Sequence, residues 1–187
     1  MGKAAALTTV LVLTGTVFAH PAHAAPAAKC AAGTWRLTKA DLTVTQSSTR
    51  LRITGGAGAT LTLSGGKAVH RYAGSARLTE TGTSGGAKVT GWLRYRGVLR
   101  MKAKLSGNRL IGTVSSASGN ATLKLRQTAP LSLDPAPRDL VALLKAREFT
   151  GVPYNAKITC SRGTLKLRQT DSGKSGTLKG VWTYRRA

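Results

Sequence analysis

The chain has 187 residues, 29 of them Lys or Arg against 6 Asp or Glu, for a formal net charge of +23. Its length suits one domain with its own core, and its charge suits polyanions such as nucleic acid, acidic wall polymers or anionic membrane surfaces. The carboxylates Asp41, Glu80, Asp134, Asp139, Glu148 and Asp171 are scattered, which leaves paired-carboxylate acid–base catalysis without support.

Lys3 precedes an apolar run over 4–19, and Ala22-His23-Ala24 forms a small-x-small cleavage site. This pattern predicts a secretory signal peptide over 1–24, a mature start at Ala25, and a secreted protein with a single domain over 25–187. A transmembrane reading is weaker, because Gly15 and several threonines interrupt a run already short for a bilayer. Lys29, directly before Cys30, does not resemble a lipobox. In an exported chain the two cysteines read as one disulfide, Cys30–Cys160. Closing so long a loop is worth about 5 kcal/mol in the chain-entropy account. The competing reading, two reactive or metal-binding thiols, lacks a nearby Cys or His partner for either.

Turn signals recur at intervals that suit an all-β domain. The first strand opens at Gly33, and a break in alternation between Lys39 and Leu42 marks a bulge or a turn. Gly55-Gly56-Ala57-Gly58 leads to a strand over 59–64, and Gly65-Gly66 separates it from one over 67–73. A strand over 76–81 follows, with 82–86 read as a loop. Over 93–105, Leu93, Tyr95, Leu99, Met101, Ala103 and Leu105 alternate with Arg94, Arg96, Arg100, Lys102 and Lys104. Successive strand side chains point to opposite faces, so one face is apolar and the other cationic. A sheet with one wet face is antiparallel and buries its apolar face against more sheet, as in a barrel or sandwich. Gly107-Asn108 fits a tight hairpin into a strand over 110–115.

Residues 122–128 and 164–170 are the same heptapeptide, Thr-Leu-Lys-Leu-Arg-Gln-Thr, which adds Lys124, Arg126, Lys166 and Arg168 to the cationic face. They read as two equivalent amphipathic strands and candidate neighbours, with a duplicated binding strand as the sharper alternative. Between them, Leu140, Leu143 and Leu144 recur at helical spacing, Asp139 suits a first turn, and Gly151 and Pro153 suit a stop. A short helix within 138–149, laid against the sheet, is expected; an irregular covering loop is the alternative. The final strands fall over 158–160, 164–170 and 177–185, with 171–176 as a loop.

Gly33-Thr34-Trp35 resembles the Gly-x-Trp signature that opens lipocalin and other calycin barrels, and the run over 158–165 with the closing strand over 181–186 adds to the likeness. The chain looks like small lipocalin-like proteins secreted by high-GC Gram-positive bacteria. The resemblance implies an all-β, antiparallel up-and-down barrel of about 8–10 strands with one short helix before the last strands. It implies that Trp35 plugs one end, with Arg185 or Arg186 over it in a cation–π contact. It also implies a small apolar ligand in the barrel, for which Tyr72, Tyr95, Leu99 and Met101 are the candidate lining.

His20 and His23 fall in the signal peptide, so a Ser-His-Asp or Cys-His mechanism would have to run through His70. Gly173-Lys174-Ser175 ends like a P-loop, but Arg168 stands where the leading glycine belongs. The expectation is a monomeric, non-catalytic binding protein without a cofactor. Three readings stand: a small apolar ligand in the cup, a solid barrel whose basic exterior binds an anionic cell-envelope polymer, and a haem barrel using His70 as axial ligand. The plain reading of the exterior cations is a solvated face that keeps the protein soluble and protects sheet edges. Only Trp92 and Tyr95 flank the patch, so sequence-specific nucleic acid is not expected.

Overall fold

The computed structural model describes residues 27–173 and 176–187. The signal peptide and cleavage site expected from the sequence fall outside the described residues, as do Lys174 and Ser175. A five-residue helix, α1 (Ala27–Ala31), precedes β1 (Gly33–Gln46), β2 (Thr49–Gly55), β3 (Thr60–Ser64), β4 (Lys67–Arg71), β5 (Leu78–Ser84) and β6 (Ala87–Arg96). There follow β7 (Val98–Ser106), β8 (Arg109–Gly119), β9 (Thr122–Ala129), β10 (Arg138–Asp139), α2 (Leu140–Lys145), β11 (Asn155–Ser161), β12 (Thr164–Gly173) and β13 (Gly176–Arg186).

Eight strands close a barrel. Around the ring they run β1, β3, β4, β7, β8, β11, β12, β13 and back to β1, every pair antiparallel. Ring order follows chain order, so the barrel is up-and-down, consistent with the lipocalin-like fold that the Gly-x-Trp motif implied. Three excursions interrupt it: β2, then β5 with β6, then β9 with β10 and α2. They leave from the end opposite the turns at Gly65-Gly66, Gly107-Asn108 and Arg162-Gly163, and pair in the order β2, β5, β6, β9, β10. This wing is hydrogen-bonded to the outer half of β1, because Gly33 to Arg36 pair with β3 whereas Ala40 to Gln46 pair with β2.

The hinge between barrel and wing is a β-bulge. The register of β1 against β13 shifts between Leu37 and Lys39. Trp35 and Leu37 point inward before the shift, and Ala40 and Leu42 after it. One extra residue resets the alternation and bends the strand, so the break in pattern near Lys39 is a bulge and not a turn.

Leu61, Leu63, Leu99, Leu110, Leu165 and Leu167 fill the barrel, each with no more than 1% of its surface exposed. Each stabilises the fold by about 2 kcal/mol through burial. At the closed end Trp35 is fully buried and donates from Nε1 to the Ala31 carbonyl of α1 at 2.7 Å. The Arg186 guanidinium lies 4.5 Å from the Trp35 ring centroid and donates to the Cys30 carbonyl at 3.0 Å. Gly33 is required beside them: its φ is +120°, and a Cβ there would come within 2.9 Å of Arg186 Nη1. The Cys30–Cys160 disulfide fastens α1 to β11 over this end.

Several expectations change. Residues 82–84 continue β5 and only Gly85-Gly86 turns, because Thr83 and Ser84 still pair with β6. Residues 171–173 likewise extend β12 against β13. The helix is confined to Leu140–Lys145, because Asp139 is its N-cap, accepting from the Val141 and Ala142 amides, and Arg147 turns to φ +58°. Its buried face, Leu140, Leu143 and Leu144, is the one the spacing indicated. The repeated heptapeptides are not neighbours: one is in β9 of the wing, the other in β12 of the barrel, separated by β6, β5, β2, β1 and β13.

Candidate functional site

The barrel mouth is closed from inside the chain. Segment 150–153 crosses it, with Thr150, Val152 and Pro153 buried. Tyr95 of β6 donates its hydroxyl to the Thr150 carbonyl at 2.6 Å, and Trp182 of β13 donates Nε1 to the Gly151 carbonyl at 3.2 Å. Gly151, at φ +65°, leaves room for the Tyr95 hydroxyl, which a Cβ would approach within 2.7 Å. The Gln169 side-chain carbonyl anchors the segment's end by accepting from the Tyr154 and Asn155 amides, each at 2.9 Å.

Below this plug remains a cavity of about 30 Å³, lined by His70, Tyr72, Tyr95 and Tyr184 among others. That volume holds a water molecule or two. Tyr72 stacks between its neighbours, 5.0 Å from Tyr95 and 6.2 Å from His70 by ring centroids. Burial, reinforced by the nearby Tyr95 and Tyr184 phenols, holds the Tyr72 phenol well above its ordinary pKa. Burial pushes the His70 imidazole down to about 4, so it is neutral at pH 7, and its Nε2 has no hydrogen-bond partner. A cavity of this size has no room for a porphyrin.

Of the four residues expected to line a ligand cup, Tyr72 and Tyr95 meet at the cavity. Leu99 and Met101 are buried in the barrel packing instead, at 0% and 2% exposure, and do not border it. Alternation turned Tyr95, Leu99 and Met101 to the buried face, and Tyr72 is buried as well, but the level each occupies depends on strand register.

The cationic face is real but divided. Arg100, Lys102 and Lys104 project from β7, and Lys166 and Arg168 from β12, all exposed on the barrel exterior. Arg94, Arg96, Lys124 and Arg126 sit apart, on the outer face of the wing. Register adds cations that local sequence did not single out. Lys157 of β11 stands directly between Arg109 of β8 and Arg168 of β12, a row across three strands. Lys67 faces Lys102, Arg36 faces Arg185, and Arg94 faces Lys124. Among the described residues no acidic side chain stands directly opposite a basic one in the ladders, and the salt bridges are Lys39 and Arg52 to Asp41, Lys124 to Asp134, and Arg138 to Glu148. The alternation of Ala156, Lys157 and Ile158 was a signal for Lys157; its meeting with Arg109 and Arg168 was not visible locally.

No helix among the described residues is long and apolar enough to cross a membrane. No protein-family description, curated protein or solved structure matches this chain.

Proposed function

We propose that this is a secreted, non-catalytic, lipocalin-like protein with a solid barrel, whose exterior binds an anionic cell-envelope polymer. The observation that carries this reading is the set of like charges in direct cross-strand register: Lys67 with Lys102, Lys157 with both Arg109 and Arg168, Arg36 with Arg185, and Arg94 with Lys124. Side chains placed so have Cβ atoms about 5 Å apart, and like charges directly opposite oppose folding, least at Arg94 with Lys124, where Asp134 pairs with the lysine. A face serving only solubility gains nothing from directly opposed cations over interspersed charges. A polymer with regularly spaced negative charges converts the repulsion into a row of contacts, releasing counterions as it binds.

The small apolar ligand expected from the resemblance draws no support from a cavity of about 30 Å³, far below the several hundred Å³ of ordinary ligand pockets. The test is titration of the intact mature protein with poly(glycerol phosphate) across a salt series. Affinity should fall linearly on a log–log plot, and reversal of Arg109, Lys157 and Arg168 to Glu should reduce both affinity and slope. Tight binding with no salt dependence, or no binding even at low salt, would overturn the reading.

A further inference from the structure

The wing carries a cleft of about 230 Å³ between its outer face and the proline-bearing loop that precedes β10, lined by Arg77, Trp92, Arg94, Arg96, Lys124 and Pro137 among others. Four of those six residues are cationic. Their placement follows from the strands. Trp92, Arg94 and Arg96 alternate with inward Leu93 and Tyr95 along β6, and β9 sets Arg126 opposite Trp92 and Lys124 opposite Arg94. Lys124 pairs with Asp134 and donates to the Pro135 carbonyl at 2.7 Å, which holds the loop as the far wall. The Arg77 guanidinium rests 4.3 Å from the Trp92 ring centroid and fixes the indole in place.

We infer that this cleft is a subsite for one acidic sugar unit of a polysaccharide, an inference that rests on the polyanion reading above and supplies its specificity. Three features select that chemistry. Arginine forks at Arg77, Arg94 and Arg96 match a carboxylate or sulfate bidentately, and no acidic residue lines the cleft to neutralise them. Pro137 and the part of the Trp92 indole that Arg77 leaves uncovered offer apolar surface to the carbon face of a sugar. The volume suits a single ring with its acid group. A single-stranded nucleic acid would call for successive stacking platforms, and Trp92 is the sole aromatic lining the cleft.

Tryptophan fluorescence reads the site directly, because Trp35 and Trp182 are buried at 0% and 3% exposure while Trp92 borders the cleft. The experiment titrates the mature protein and its variants by calorimetry, with Trp92 emission as a second readout where Trp92 is present, using oligo-alginate, polyphosphate and single-stranded DNA at matched charge and about 150 mM salt. Oligo-alginate should shift the emission and bind tightest. Trp92→Ala should weaken it about tenfold with the salt slope unchanged, whereas Arg94→Gln with Arg96→Gln should weaken it and lower the slope. Trp92→Phe, which keeps a ring, should retain most binding and guards against a folding defect in the alanine variant. Oligo-alginate binding that ignores Trp92→Ala overturns the subsite but leaves the exterior reading standing; absence of binding to every polyanion overturns both. Tighter binding of DNA or polyphosphate at Trp92 overturns the sugar assignment alone.

Discussion

His70 shows at the scale of one residue how burial converts a side chain into a pH-dependent liability. Its imidazole titrates near 6.5 in an unfolded chain and at about 4 in the fold, because burial disfavours the charged form. Between those values the unfolded state takes up a proton that the folded state refuses. Stability present above about pH 6.5 is therefore lost as the pH falls toward 4 and is level below, a total of about 3 kcal/mol. Burial shifts the Glu80 carboxyl upward, giving a slope of opposite sign as that group protonates. The informative comparison is thus with His70→Gln, in which this loss should vanish; urea melts from pH 7 to 4 measure it, and equal slopes for both proteins would show that His70 does not titrate this way. In the sequence the same residue stood out as the histidine left beyond the expected signal peptide and as a candidate haem ligand. That it shares a small cavity with the phenols of Tyr72, Tyr95 and Tyr184, its Nε2 without a partner, depends on β4, β6 and β13 bringing their side chains to one level.

The repeated heptapeptide makes the corresponding point for an element. In β12 its two leucines, Leu165 and Leu167, are fully buried inside the closed barrel. In β9 the equivalent Leu123 and Leu125 are only half-buried, because that strand lies near the wing's edge with only the two-residue β10 beyond it. Leu167→Ala should therefore cost about 2–5 kcal/mol, and Leu125→Ala about 1 kcal/mol, in urea unfolding. Equal costs would mean that the wing packs as tightly as the barrel. Alternation identified both segments as amphipathic strands, and it correctly divided Leu99, Met101 and Ala103 from Arg100, Lys102 and Lys104. It could not distinguish barrel from wing, since a strand's own pattern records which face is buried and not what buries it.

At the scale of the whole molecule the excess of positive charge acts on folding and binding in opposite directions. Raising NaCl from about 50 mM to about 500 mM shortens the screening length from roughly 14 Å to roughly 4 Å. Repulsion between pairs such as Lys67 with Lys102 then weakens, so the melting temperature should rise by several degrees while polymer binding falls away. Poly(glycerol phosphate) at low salt should raise it likewise, since a ligand that binds the folded state stabilises it. A melting temperature unmoved by both salt and polymer would show that the opposed cations already avoid one another by side-chain rearrangement.

Several features were legible in the sequence: the all-β class, the inward and outward residues of the regular strands, the helical spacing of Leu140, Leu143 and Leu144 beside a loop alternative, the pairing of Cys30 with Cys160, and, through the Gly-x-Trp resemblance, a Trp35 plug whose arginine stayed open between Arg185 and Arg186. Each follows from local periodicity, a short motif, or the arithmetic of two cysteines. Tertiary structure alone decided that segment 150–153 plugs the mouth, that the excursions join into a wing, and that Arg109, Lys157 and Arg168 form one row. The physical reason is that strand pairing joins residues tens of positions apart, and a register shift as small as the bulge near Thr38 changes which side chains meet.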